Sequence, residues 1–142
     1  MSGEFIDTNI FIYLFDETDE HKRTTAERLI QKALETRNAC ISHQVVQETL
    51  NVVTRKLPFP MSAENAQRFL EQILIPLWRV MPSPALYRRG LDFQSRYGFS
   101  FYDALIIAAA IETGCTRLYT EDLQHGQKID GLVIENPFID CD

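Results

Sequence analysis

A chain of 142 residues, 45% of them hydrophobic, is long enough to form one domain with a buried core, without disulfides or a structural metal. Its formal net charge of −6 argues against a protein that binds nucleic acid only by neutralising phosphates with lysine and arginine. No stretch approaches the roughly 18 apolar residues of a membrane helix, and the first residues lack the pattern of a signal peptide. We therefore expect a cytoplasmic protein with no membrane partner.

The first half of the chain alternates between predicted strands and helices. Apolar residues at helical spacing and short apolar runs separate the two kinds of element. Ser42 stands where it can cap the helix that follows it, and the Leu-Pro-Phe-Pro segment at residues 57–60 ends that helix. The elements are a strand over 4–6, helices over 9–15 and 19–36, a strand over 39–41, and the helix from 43 to about 56.

The second half continues the alternation. A helix that follows Pro84 ends at Gly98, and Gly114 ends the next helix. That second helix is apolar on all sides, which predicts that it is buried. The elements are a helix over 63–74, a strand over 77–80, helices over 84–96 and 101–112, and strands over 117–120 and 132–134. Such alternation predicts one α/β domain over residues 1–142, with a central parallel sheet that helices cover on both faces.

Four acidic residues fall where this fold would bring them together. Asp7 directly follows the first strand, and Asp122 lies just past the strand over 117–120. Glu48 lies in the second turn of the helix after the second strand, and Asp103 begins the buried helix. Because functional crevices in parallel sheets lie at the carboxyl ends of the strands, we expect all four to reach one edge of the sheet.

Carboxylates that share one pocket repel each other, which predicts a bound cation. Two unit charges ~4 Å apart cost about 1 kcal/mol in water and about 4 kcal/mol at an effective dielectric of 20. The three cysteines, Cys40, Cys115 and Cys141, and the three histidines are scattered without ligand spacing. Oxygen ligands alone select Mg²⁺ or Mn²⁺ over zinc, and such ions can activate water for attack on a phosphate.

Each acid also has a purely structural interpretation. Asp7 can cap a helix, and Glu48 can belong to a solvated helix face. Asp103 stands three residues after a serine, the spacing of a capping box. Asp122 can be an ordinary polar loop residue, and its neighbour Glu121 competes for any role given to it.

The ordered set of acidic motifs resembles the PIN domains, and most closely the VapC-type toxins of bacterial toxin–antitoxin pairs. Any one of these motifs would be weak evidence, but all four occur in order and span essentially the whole chain. The segments that carry the resemblance are FIDTNIFIYLFD, VVQETLNVV, SFYDALIIAAA and LYTEDLQHG followed by NPF.

The resemblance implies a three-layer α/β/α, Rossmann-like fold and an endoribonuclease that depends on Mg²⁺ or Mn²⁺. Position by position, the family's acids match Asp7, Glu48, Asp103 and Asp122. Asp7, Asp103 and Asp122 would be the principal metal ligands, directly or through water. Glu48 would orient or deprotonate the attacking water, or bind a second metal. The supporting polar residues match Asn9 and Thr120, and the family also implies an RNA substrate, a cognate antitoxin and a homodimer.

Other functions remain open at this stage. A PIN-like module that binds RNA or protein without cutting has the same composition. A phosphohydrolase that works through an aspartyl-phosphate would use Asp7, but it would usually carry a second acid two residues later, where this chain has Asn9. A receiver domain would need a phosphorylated aspartate on a central strand and a lysine after a later strand, and the sequence shows neither.

Overall fold

The computed structural model describes residues 3–139, so Cys141 and the ends of the predicted domain over 1–142 lie outside the described residues. The strands are β1 (Gly3–Ile6), β2 (Ala39–Ser42), β3 (Trp78–Val80), β4 (Cys115–Tyr119), β5 (Lys128–Ile129) and β6 (Leu132–Glu135). The helices are α1 (Thr8–Ile12), α2 (Glu20–Thr36), α3 (His43–Arg55), α4 (Ala63–Phe69), α5 (Ile75–Leu77), α6 (Pro84–Tyr97) and α7 (Phe101–Glu112).

The strands form one six-stranded sheet in the order β3-β2-β1-β4-β6-β5. Five strands run parallel, as predicted, and helices flank the sheet. The edge strand β5 is antiparallel to β6 and was not predicted, because two residues are too few to show an alternating pattern. The α/β fold class is confirmed.

Side-chain caps and local backbone conformation determine where several of the helices begin and end. The side chain of Ser42 accepts a hydrogen bond from the backbone N–H of Val45, so the predicted cap of α3 is present. Gly98 ends α6 with a φ of 77°, a left-handed conformation that favours glycine. The predicted helix over 9–15 is shorter, because its last turn, Tyr13–Phe15, is a 3₁₀ turn. The predicted helix over 63–74 likewise passes into a π-helical turn at Leu70–Leu74.

The buried helix α7 lies at the centre of the core. Its seven residues from Ala104 to Ala110 are all buried, as its apolar sequence predicts. Helix α6 packs closely on α7, since a Cβ added at Gly90 would lie 2.7 Å from the side chain of Leu105. Between residues 3 and 139, no helix is long and apolar enough to cross a membrane. This packing fixes the first turn of α7, and with it Asp103, beside the carboxyl ends of the central strands.

Candidate active site

The carboxyl ends of β1 and β4 lie side by side at the middle of the sheet. Ile6 pairs with Tyr119 in register, and the backbone N–H of Asp7 donates to the carbonyl of Tyr119 over 3.0 Å. Asp7 and Thr120 are therefore the first residues beyond two adjacent parallel strands. This is the edge at which the sequence predicted the acids to meet.

Asp7 is only 5% exposed. Its carboxylate accepts hydrogen bonds from the backbone N–H of Thr8 at 2.7 Å and from the hydroxyl of Thr120 at 2.8 Å. Burial raises the pKa of Asp7 to about 7 against the effect of these two hydrogen bonds, and the charges of Asp122 and Glu48 raise it further. Asp7 thus caps α1, as its structural interpretation predicts, and is also a buried acid without a positive partner among the groups that shift its pKa.

Asn9 and Thr120 connect Asp7 to Asp122. The amide nitrogen of Asn9 donates to Asp122 Oδ2 at 3.0 Å and to Thr120 Oγ1 at 3.3 Å. Thr120 Oγ1 also accepts from the backbone N–H of Asp122 at 3.1 Å. Thr120 is completely buried, and its hydroxyl holds the carboxylate of Asp7 and the backbone of Asp122 in place.

Glu48 reaches the same region from α3. The hydroxyl of Thr8 donates to Glu48 Oε1 at 2.7 Å, and the amide of Gln44 lies 3.4 Å from Glu48 Oε2. Gln44 also donates to the carbonyl of Tyr102 at 3.1 Å, which joins α3 to the first turn of α7. Sequence reasoning missed Thr8 and Gln44 as orienting residues. Two features of the sequence could have indicated them: Thr8 directly follows Asp7, and Gln44 lies four residues before Glu48, on the same face of the helix.

Asp103 lies in the first turn of α7. Its backbone N–H donates to the hydroxyl of Ser100 at 3.2 Å, so the predicted cap of this helix is present. Partial burial raises the pKa of Asp103 and the charge of Asp122 adds to the rise, while a hydrogen bond with Ser100 lowers it. Asp103 therefore lies in the capped first turn of α7 and also interacts electrostatically with Asp122.

All four acids line a single cavity of about 740 Å³. Its lining combines these four acids and Asp16 with polar and apolar side chains. Lys56 is the only lysine or arginine among the described residues that line this cavity. The apolar lining residues include Ile12, Phe15, Val52, Leu57, Pro58 and Ile106.

Glu121 does not line this cavity, although it is the direct neighbour of Asp122. Its carboxylate pairs with the ammonium of Lys22 at 2.7 Å and accepts a hydrogen bond from the hydroxyl of Tyr13. The two adjacent acids therefore face different partners, and only Asp122 lines the cavity with the other three acids.

The donor chemistry of the cavity fits a hard divalent cation. Its acidic groups are carboxylates, and the buried Asp7 holds a raised pKa that a nearby positive charge would lower. The carboxylates of Asp7, Glu48 and Asp122 each accept a hydrogen bond from a neighbouring donor. Within residues 3–139, no three Asp, Glu, His or Cys side chains stand at the spacing of metal ligands, so the acids would have to converge on the ion.

Comparison with known proteins identifies a family that matches this chain. The family model described as PIN domain matches residues 5–129. No curated protein matches the chain by sequence. Among solved structures, the chain resembles DNA-bound VapBC from Salmonella typhimurium, with a TM-score of 0.67, 22% identity, and coverage of 96% of this chain and 99% of that chain.

Two further solved structures share the fold. A toxin–antitoxin complex from Klebsiella pneumoniae gives a TM-score of 0.67 at 22% identity, with 95% of this chain and 98% of that chain covered. VapC20 of Mycobacterium tuberculosis, described as a toxin that cleaves the sarcin–ricin loop, gives 0.61 at 22% identity, with 84% and 90% covered. The similarity extends over nearly the full length of these chains.

Proposed function

The chain belongs to the PIN domain family, and on that premise we propose that it is a metal-dependent endoribonuclease that acts as the toxin of a toxin–antitoxin pair. The observation that carries the proposal is the convergence of Asp7, Glu48, Asp103 and Asp122 on one cavity. These acids come from four separate segments of the chain. A role limited to capping or surface polarity does not require them to share a cavity.

The charge of the cavity supports a metal ion as the partner of the substrate. An RNA phosphate is negative, and the cavity offers Lys56 alone against its acidic residues. We assign Asp7, Asp103 and Asp122 to hold Mg²⁺ or Mn²⁺. When bound, such an ion neutralises the scissile phosphate and lowers the pKa of a water molecule.

The remaining roles belong to the protein's own groups. Thr120 and Asn9 fix the carboxylates of Asp7 and Asp122 in one orientation. Glu48 is held by Thr8 and Gln44, so its carboxylate is positioned to orient a water or accept its proton, or to contact a second metal. In the hydrolysis, the water oxygen bonds to phosphorus as its proton is removed, the bond between phosphorus and the leaving oxygen breaks, and that oxygen takes up a proton.

The proposed partners have two sources. Solved structures that share the fold include a toxin–antitoxin complex, which supports a cognate antitoxin for this chain. The homodimer is proposed from the family resemblance alone. The apolar residues that line the cavity together with the acids offer a surface that a protein partner can cover. RNA as substrate and an antitoxin as partner both agree with the expected cytoplasmic location.

The test is cleavage of total RNA by the purified protein with Mn²⁺ or Mg²⁺, and the same reaction with EDTA. Discrete cuts that require the metal support the proposal. RNA that is bound but left intact with either metal would favour the non-cleaving module. A covalent phosphoenzyme trapped at Asp7 would favour the aspartyl-phosphate alternative.

A further inference from the structure

A compact ionic cluster includes the neighbour of Asp122 in the chain, and of its three members only Tyr13 also lines the cavity of the four acids. The Lys22 ammonium donates to Glu121 Oε2 at 2.7 Å and to the hydroxyl of Tyr13 at 3.1 Å. The Tyr13 hydroxyl in turn donates to the other carboxylate oxygen of Glu121. Each of the three groups thus contacts the other two. We call Lys22, Tyr13 and Glu121 the Lys22 clamp.

The clamp is partly buried beneath an aromatic side chain. The side chains of Lys22 and Glu121 are 29% and 25% exposed, respectively. The Lys22 ammonium lies 5.6 Å from the centre of the Phe138 ring, and that ring packs edge-on against Tyr13 at 4.8 Å. The hydrogen bonds to Glu121 and Tyr13 raise the pKa of Lys22, so it stays charged. Partial shielding from water strengthens this ion pair relative to one on an open surface.

The clamp holds the segment that carries Asp122. The side chain of Glu121 is held by Lys22 and Tyr13, and its backbone N–H donates to Asn9 Oδ1 at 3.3 Å. The same Asn9 side chain donates to Asp122 Oδ2 at 3.0 Å. Residue 121 is therefore fixed through both its main chain and its side chain. Fixing it leaves Asp122 directed toward the cavity and keeps the Glu121 carboxylate outside it.

We propose that the Lys22 clamp positions Asp122 for metal binding and keeps the adjacent Glu121 from replacing it. Lys22 and Glu121 are positioning residues here, because neither lines the cavity, and the Tyr13 hydroxyl acts through Glu121 although Tyr13 itself lines the cavity. The inference rests on the proposed metal-dependent function. It gives a role to Lys22, a residue of α2 that lies outside all of the acidic motifs.

The sign of the change in metal affinity on loss of Lys22 distinguishes this proposal from a long-range electrostatic effect. Removing a positive charge near a cation site, by charge alone, makes cation binding tighter. The clamp predicts the opposite, since loss of Lys22 releases Glu121 and loosens Asp122. Loss of a partner that orients a metal ligand weakens metal affinity by about 10- to 100-fold in other proteins.

The experiment is a Mn²⁺ titration of the purified full chain, followed by the electron paramagnetic resonance signal of free Mn²⁺. The variants are Lys22→Met, Lys22→Arg and the control Lys32→Met. Lys32 is exposed on the same helix, ten residues later, about 15 Å along its axis. We expect Lys22→Met to weaken binding by about 10-fold or more, Lys22→Arg to restore most of it, and Lys32→Met to match the wild type.

A second variant covers the case in which Lys22→Met does not fold. Tyr13→Phe removes only the hydroxyl that bridges the ion pair and leaves every charge in place, and we expect weaker Mn²⁺ binding there too. Wild-type affinity in a folded Lys22→Met or in Tyr13→Phe would overturn the clamp and leave the proposed function standing. A wild-type protein that binds no Mn²⁺ would overturn the proposed metal dependence, and the clamp's role with it.

Discussion

The buried hydroxyl of Thr120 donates a hydrogen bond of 2.8 Å to the carboxylate of Asp7, across the junction of two adjacent parallel strands. The same oxygen accepts the backbone N–H of Asp122 at 3.1 Å. One side chain therefore ties together two of the acids that we assign as metal ligands. Its geometry is set by the register of β1 and β4, which is a property of the fold and not of the loop alone.

Replacing Thr120 with valine should disable the site more than it harms the fold. The change removes the hydroxyl but keeps the shape of the side chain. Asp7 then keeps only the hydrogen bond from the N–H of Thr8, and the N–H of Asp122 loses its acceptor. We expect cleavage to fall by about 10-fold or more and stability to fall by about 1–3 kcal/mol. The rate of RNA cleavage and the free energy of unfolding in urea measure these two effects.

Thr54→Val is the matched control for that substitution. The hydroxyl of Thr54 bonds only to carbonyls of its own helix, at 2.7 Å to Leu50 and 3.5 Å to Asn51. We expect the variant to cleave RNA like the wild type. If Thr120→Val and Thr54→Val are equally active, Thr120 does not support the acids.

Asp7 should make the metal-free protein less stable as the pH rises. Burial raises the folded pKa of Asp7 to about 7, above its ordinary value of 3.8, so the folded state keeps a proton that the unfolded state has lost. The resulting stabilisation is complete below about pH 4 and is lost as the pH rises through about 7. Urea unfolding in EDTA at about pH 5 and about pH 8 measures the difference.

The Asp7→Asn variant isolates this contribution because asparagine stays neutral across the range. We expect it to fold and to lose less stability than the wild type between those two pH values. It should also be the more stable protein at the higher pH, since it buries no charge. An identical pH dependence in both proteins would contradict the raised pKa, and outright unfolding would favour a purely structural role for Asp7.

Millimolar Mn²⁺ or Mg²⁺ should raise the melting temperature of the wild type. A ligand that binds only the folded state stabilises it by about 2.7 kcal/mol when its concentration is 100 times the dissociation constant. In Asp122→Asn the shift should shrink, because the ion loses a ligand. Differential scanning fluorimetry measures both proteins, and an equal shift in the two would place the metal elsewhere.

Gly90→Ala should destabilise the fold without changing the chemistry of the site. The added Cβ would approach the Leu105 side chain to 2.7 Å, and Leu105 is only 5% exposed, so it has little room to move. Overpacking of this kind costs about 1–3 kcal/mol. Ser95→Ala, at an exposed position of the same helix, is the control for urea unfolding and should change stability by about 0.5 kcal/mol or less. Equal stability of the two variants would show that α6 and α7 separate easily.

The sequence was sufficient to predict the parallel sheet and the edge where the acids meet. Alternating elements predict a parallel sheet whose carboxyl ends gather the acids, whereas the strand order that makes β1 and β4 neighbours was not predicted. The cap at Ser42 and the stop at Gly98 were predictable because each depends on local chemistry. These features need only short-range patterns and the rule for parallel sheets.

Features that depend on contacts between distant side chains were not predictable. The residues alone left Glu121 as a competitor of Asp122, although the family resemblance favoured Asp122, and the contact of Glu121 with Lys22, 99 positions earlier, was not predicted. The bond between Thr8 and Glu48 also joins residues far apart in the chain. The two-residue strand β5 forms because β6 is beside it, and its own residues carry no strand pattern.

The most direct test of the proposed active site compares the cleavage of RNA by Asp103→Asn and by Glu112→Gln at saturating Mn²⁺. Both variants remove one negative charge from α7, but Glu112 is exposed at its far end, about 13 Å along the axis from Asp103. We expect Asp103→Asn to stay folded and to lose cleavage by about 100-fold or more, about 2.7 kcal/mol in the barrier, while Glu112→Gln cleaves like the wild type. Equal cleavage by wild type and a folded Asp103→Asn would contradict the assignment of the four acids as the active site.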